Sequence, residues 1–145
     1  MNTRFLAVLL LACVPAAADL GKANAEPNLE KRSQLALENA DDALKRARGL
    51  YGKGDLKQTA AAVEEIRESV ALAQTSLQQT GKDPRRSPKW FKRAELKTRD
   101  LMKKLDGFSR EMSYEDRDML KPAMEKTRQV HEDLLTGIME GKKKK

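Results

Sequence analysis

Apolar positions recur at steps of three and four along most of the chain. Ala36, Ala40, Ala43, Ala47 and Leu50 form one such row, with Leu37, Leu44 and Tyr51 beside it at steps of seven. This is the apolar stripe of a helix, predicted over residues 28–52 and ended by Gly52-Lys53-Gly54. Asp55 then reads as the N-cap of a second helix, 55–79, with Leu56, Ala60, Val63, Ile66, Val70, Ala73 and Leu77 as its buried row. So short a link folds the two helices back as a hairpin.

Two prolines and a glycine in residues 80–88 forbid continuation. Ser87 and Pro88 read as the N-cap and first position of a third helix, 88–112, which buries Phe91, Ala94, Leu101, Leu105 and Phe108. Trp90 and Met102 lie at its margins. Ser113 reads as the cap of a fourth helix, 114–140, with a break or kink at Pro122 and a row of Ala123, Thr127, Val130, Leu134 and Ile138. No segment alternates with period two. The expected fold is all-α: an antiparallel four-helix bundle made of two helical hairpins, running up-down-up-down over residues 28–140 as a single domain. Residues 19–27 are expected as a disordered linker and 141–145 as a basic disordered tail.

The N-terminus has a different pattern. Arg4 precedes ten apolar residues, Phe5 to Val14, and then Pro15-Ala16-Ala17-Ala18. A basic start, an apolar run and a small-residue Ala-x-Ala site are the three parts of a cleavable secretory signal over residues 1–18. The run is about half of the roughly 20 residues that span a bilayer. The expected location is therefore periplasmic or secreted. Leu10-Leu11-Ala12-Cys13 resembles a bacterial lipobox, which would make a lipid anchor at Cys13 the minor alternative.

Cleavage would remove the only cysteine, and with it any disulfide, thiolate metal site or thiol nucleophile. Charged residues are 35% of the chain and aromatics 4%, a composition of helix formers that leaves stability to packing. Tyr51, Asp55-Leu56 and Ala60 resemble the middle of a tetratricopeptide unit, but no second copy follows at that period, so the resemblance implies a helical hairpin and no more.

Charge is concentrated in one place. Residues 82–104 carry ten basic and three acidic side chains, so the excess of the whole chain, net +7, resides in this stretch. A helical wheel places Lys89, Lys92, Arg93, Arg99, Lys103 and Lys104 opposite the apolar row of the third helix, with Leu96 among them. With Lys82, Arg85 and Arg86 of the linker they form a candidate anion- or partner-binding surface. The competing reading is internal neutralisation by Glu64, Glu65 and Glu68 of the second helix.

His131, the only histidine, falls inside the fourth stripe and reads as a core residue rather than a ligand. The sequence lacks a nucleophile elbow, a zinc-protease helix and a phosphate-cradling glycine loop. No enzyme activity, metal or other cofactor is expected. The expected function is that of an exported interaction module for an acidic protein or an anionic envelope surface. The alternative is a structural or chaperone-like protein that self-associates through its Ala-rich hairpin. Nucleic acid is the weaker reading, because export removes the chain from it.

Overall fold

The computed structural model describes residues 20–141. Residues 1–19, with the expected secretory signal and Cys13, and residues 142–145 of the expected basic tail lie outside the described residues. Among those described, every regular element is helical: α1 (Leu20–Ala25), α2 (Leu29–Gly52), α3 (Leu56–Gln79), α4 (Lys89–Glu111) and α5 (Lys121–Glu140), with a 3-10 turn at Arg117–Leu120.

Helix α2 starts at Asn28, whose side chain accepts from the Lys31 amide at 2.9 Å, and α3 starts at Asp55, which accepts from the Gln58 amide at 3.0 Å. Each cap satisfies an amide that the first turn leaves orphaned. Gly54, at φ +77°, makes the reversal between them, a conformation that costs a side-chain residue about 1 kcal/mol or more. Asn39 then meets Ser69, and Arg46 meets Glu65, so α2 and α3 run antiparallel. Ala36, Ala40, Ala43 and Ala47 are fully buried within the single chain. The small-residue row is used in closing this hairpin and is not left on the surface.

The second hairpin, α4 with α5, is also antiparallel: Thr98 and Glu95 lie against His131, and Met102 lines the same depression as Met124. The two hairpins do not pack in simple chain order. Gln34, Asp41 and Arg48 of α2 meet Arg93, Lys104 and Glu111 of α4 in rising order, so these neighbours are parallel. Helix α3 packs on α5, and α3 and α4 face each other across the diagonal. The linker therefore crosses the end of the bundle, where Pro84 lies against Gly137 and the Arg85 stem against Gly141. The up-down-up-down directions are as expected; the placement of the second hairpin is not.

Local departures from the expected pattern have identifiable causes. Residues 20–25 form a helix rather than a linker, because Leu20 and Ala23 fall on one face that packs on the core. Ser87 does not cap α4. Its amide and that of Arg86 both donate to the Asp83 carbonyl, a turn that moves the helix start onward and leaves Pro88 as an N-cap without a side-chain bond. Of the break or kink expected at Pro122, the structure has the break: the 3-10 turn Arg117–Leu120 gives way to α5 at Lys121, and Pro122 sits in the first turn of α5, where no partner for a proline nitrogen is needed. Ser113 bonds Asp116 in the preceding turn, and both are tied to α2 through Tyr51, whose hydroxyl accepts from the Ser113 amide and donates to Asp116.

On α3, Leu56 and Ala60 are exposed, and Thr59 takes the buried place. Buried hydroxyls recur at Thr59, Ser76, Thr98 and Thr127, each donating to a carbonyl one turn back. Bonded in this way, they serve as small core residues that an apolar-only pattern passes over.

Candidate functional site

Helix α4 turns Phe91, Ala94, Leu101, Leu105 and Phe108 into the core, as their spacing requires, and the opposite arc faces solvent. The nine cations expected on that arc and in the linker divide by what their side chains touch.

Three are engaged with acids. Lys82 in the linker pairs with Glu30 of α2. Arg99 donates from Nε to Glu95 at 3.0 Å, and the Glu95 side chain is only 6% exposed. Lys104 bridges Asp41 of α2 at 2.6 Å and Asp100 of its own helix at 2.8 Å. Two are engaged with an aromatic ring: Lys89 and Arg93 lie 5.3 and 5.0 Å from the Trp90 centroid, and Arg93 also donates to Gln34 at 3.2 Å. Arg85, Arg86, Lys92 and Lys103 are exposed, with no acidic side chain within salt-bridge distance among the described residues. Lys97, absent from the sequence-derived set, is exposed as well. It flanks Trp90 and Arg93 on the α2 side, where the wheel alone gave it no distinction.

The acids expected to neutralise this surface from α3 do not reach it. Glu64 pairs with Arg67, and Glu65 with Arg46 of α2. Their helix lies across the diagonal from α4. Neutralisation comes instead from α2 and from α4 itself, and it is partial.

The Asp41–Lys104 bridge joins α2 to α4. Burial pushes the Asp41 carboxyl up, but hydrogen bonds from Lys104 and Lys45 outweigh it and hold the pKa below the ordinary carboxylate range. Hydrogen bonds to Asp100 and Asp41 raise the Lys104 ammonium. A carboxyl with a lowered folded pKa binds its proton more readily in the unfolded chain. Its stabilisation is therefore present above the unfolded value and is lost as pH falls through the folded one. Lys104→Met is expected to cost less than about 1 kcal/mol at neutral pH, because the pair is partly exposed. In urea titrations the deficit should begin to shrink as pH falls below the unfolded carboxylate value of about 3.9 and vanish once the folded carboxyl is protonated. A deficit independent of pH would show that lost packing, not the bridge, is responsible.

His131 is half-buried at the α4–α5 seam rather than in the core interior, with Nδ1 3.4 Å from Thr98 Oγ1 and 3.7 Å from Glu95. Among the described residues no group of three His, Cys, Asp or Glu side chains could hold a metal ion. Met102 and Met124 come together in an open depression of about 460 Å³ lined also by Asp106, Lys121, Glu125 and Arg128. No helix among the described residues is long and apolar enough to cross a membrane.

The arrangement defines a class: an all-α helical bundle with one cation-rich helix face only partly neutralised by its own fold. No protein-family model, curated protein or solved structure matches the chain.

Proposed function

We propose that this is a non-catalytic, exported docking protein whose α4 face, continued by the linker arginines, engages an anionic partner outside the cytoplasm. One observation carries the reading: Arg85 and Arg86 in the linker and Lys92 and Lys103 on α4 stand exposed, with no acid within salt-bridge distance among the described residues. Elsewhere Lys45, Arg67, Arg110, Lys121 and Arg128 each stand within salt-bridge distance of an acid, while Lys53, Lys57 and Arg117, exposed without one among the described residues, lie on other elements. A one-signed surface of this kind concentrates anions and accelerates encounter with them. The self-associating alternative has less to support it, since the α2 alanines Ala36, Ala40, Ala43 and Ala47 are buried within the chain, although Ala60 and Ala61 of α3 are exposed.

The test is elution from immobilised heparin, used as a generic polyanion, with Arg85, Arg86, Lys92 and Lys103 all changed to Glu. These side chains make no ion pair among the described residues, so the helical circular dichroism should be retained. Binding should fall at least about tenfold, with a shallower dependence on salt. A control reverses Lys45, Arg67, Lys121 and Arg128, which carry the same charge elsewhere. An equal loss in the control would reduce the effect to net charge and overturn the reading.

A further inference from the structure

Resting on that reading, we infer that the anionic partner is a lipid bilayer surface, on which α4 lies with Leu96 inserted among its cations.

Leu96 is 56% exposed, on the outermost line of α4. Its neighbours one turn away are Lys92 and Arg93 on one side and Arg99 and Asp100 on the other; Lys89 and Lys103 follow at two turns. The acids close by are already engaged: Asp100 with Lys104, and Glu95 with Arg99. The apolar tip is thus flanked by Lys92, Arg93 and Arg99, with Asp100 the one acid a turn away.

Helix α5 adds to this side of the bundle. His131 meets α4 at Glu95 and Thr98. From His131 the same row of α5 steps to Leu135 and then Met139, which are 40% and 70% exposed. Because the helices are antiparallel, these two lie alongside the N-terminal part of α4, near Lys92 and Lys89. The acids bordering the row are Glu132, paired with Arg128, and Glu140 beside Met139.

Single apolar side chains spaced along a convex, cationic helix face suit a fluid, anionic surface better than a folded protein. A protein partner needs a pre-shaped complement, whereas acyl chains close around each tip separately. Lys92, Leu96, Arg99 and Lys103 do not line the Met102–Met124 depression. Long lysine stems lie along the apolar boundary while their charges reach the headgroups. Interfacial helices combine these features: an apolar tip for insertion and a cationic flank for anionic lipid.

The experiment is co-sedimentation of the full chain with vesicles of equimolar phosphatidylglycerol and phosphatidylcholine, against vesicles of phosphatidylcholine alone. Three proteins are compared: wild type, Leu96→Ala, and Lys92→Glu with Lys103→Glu. All share residues 1–19 and 142–145, so differences among them report on α4. Leu96→Ala should weaken binding to the anionic vesicles about three- to tenfold and leave heparin elution unchanged. The double reversal should weaken both, by at least about twentyfold on vesicles, since each cation near such a surface contributes about fivefold. Equal binding by Leu96→Ala and wild type would overturn the bilayer inference, as would equal binding to the two vesicle types. Charge-sensitive heparin binding without vesicle binding would overturn it too, while leaving an acidic protein or polymer as the docking partner. Failure on both heparin and vesicles would remove the docking reading itself.

Discussion

Phe108→Ala should lower the unfolding free energy by about 3–5 kcal/mol and the melting temperature by about 10–20 °C. Phe108 is 1% exposed near the C-terminal end of α4. Its ring meets Tyr51 edge-on, with centroids 5.9 Å apart and planes at 79°, and the Arg48 guanidinium lies 5.7 Å from its centroid. Arg48 also donates to the Lys104 carbonyl and to Glu111, and Tyr51 fixes the turn that follows α4. Deletion of the ring therefore leaves a cavity and at the same time loosens the side chains that join α2 to the second hairpin. Phe108→Leu should recover more than half of the loss, because it refills most of the volume. Thermal unfolding followed by circular dichroism measures both. A loss below about 1 kcal/mol for the alanine variant would mean that the two hairpins are not held together at this point.

The second large effect is expected at a residue that the charge pattern presents as part of the docking face. Arg99 is the cation hydrogen-bonded to Glu95, whose carboxylate is nearly inaccessible to water. Arg99→Leu should cost about 2–3 kcal/mol: removing one partner of a buried pair leaves the other desolvated, although the half-exposed Arg99 head allows water some relief. Glu95→Leu together with Arg99→Leu should restore most of that stability, since an apolar pair of similar volume needs no compensation. Urea denaturation of both single variants and the double variant closes the cycle. Additive losses would show that the two side chains do not act on each other. For the same reason Arg99 is a poor position for testing docking, and Lys92 and Lys103 are better ones.

These two positions also mark how far the linear pattern could be read. Phe108 was legible: it falls three and seven residues after Leu105 and Leu101, and nothing but a core explains that row. Glu95 was not. A wheel drawn for α4 alone places it at the edge of the apolar arc. Its burial is imposed by α5, which lays His131 against it and against Thr98 of the same helix. The buried hydroxyls of Thr59 and Ser76 escaped for a related reason, since they satisfy themselves on their own helix and so pass as surface residues. Helix α1 carries only two apolar contacts in six residues, too few for a period to emerge.

The candidate surface was legible as composition and only partly as geometry. The ten cations of residues 82–104 are visible in the chain, as is their segregation from the apolar row. Which of them remain unpaired is not. Glu64, Glu65 and Glu68 are the conspicuous acids of the preceding hairpin, yet the ones that reach the cations are Glu30 and Asp41 of α2. Chain order suggests α3 as the neighbour of α4; the structure makes it α2.

By itself, then, the sequence determined the helical class, the approximate limits of the first three long helices and the end of the fourth, most of the row that each one buries, and the charge of the third. These are local quantities: the helical period, the cap at Asp55, and the glycine and proline breaks act over one or two turns. The tertiary structure alone decided the diagonal crossing of the linker, the burial of Glu95 and the choice of cations left exposed. Those outcomes depend on which helix face meets which, and that is set by packing between segments distant in the chain, on which a single helix's periodicity carries no information.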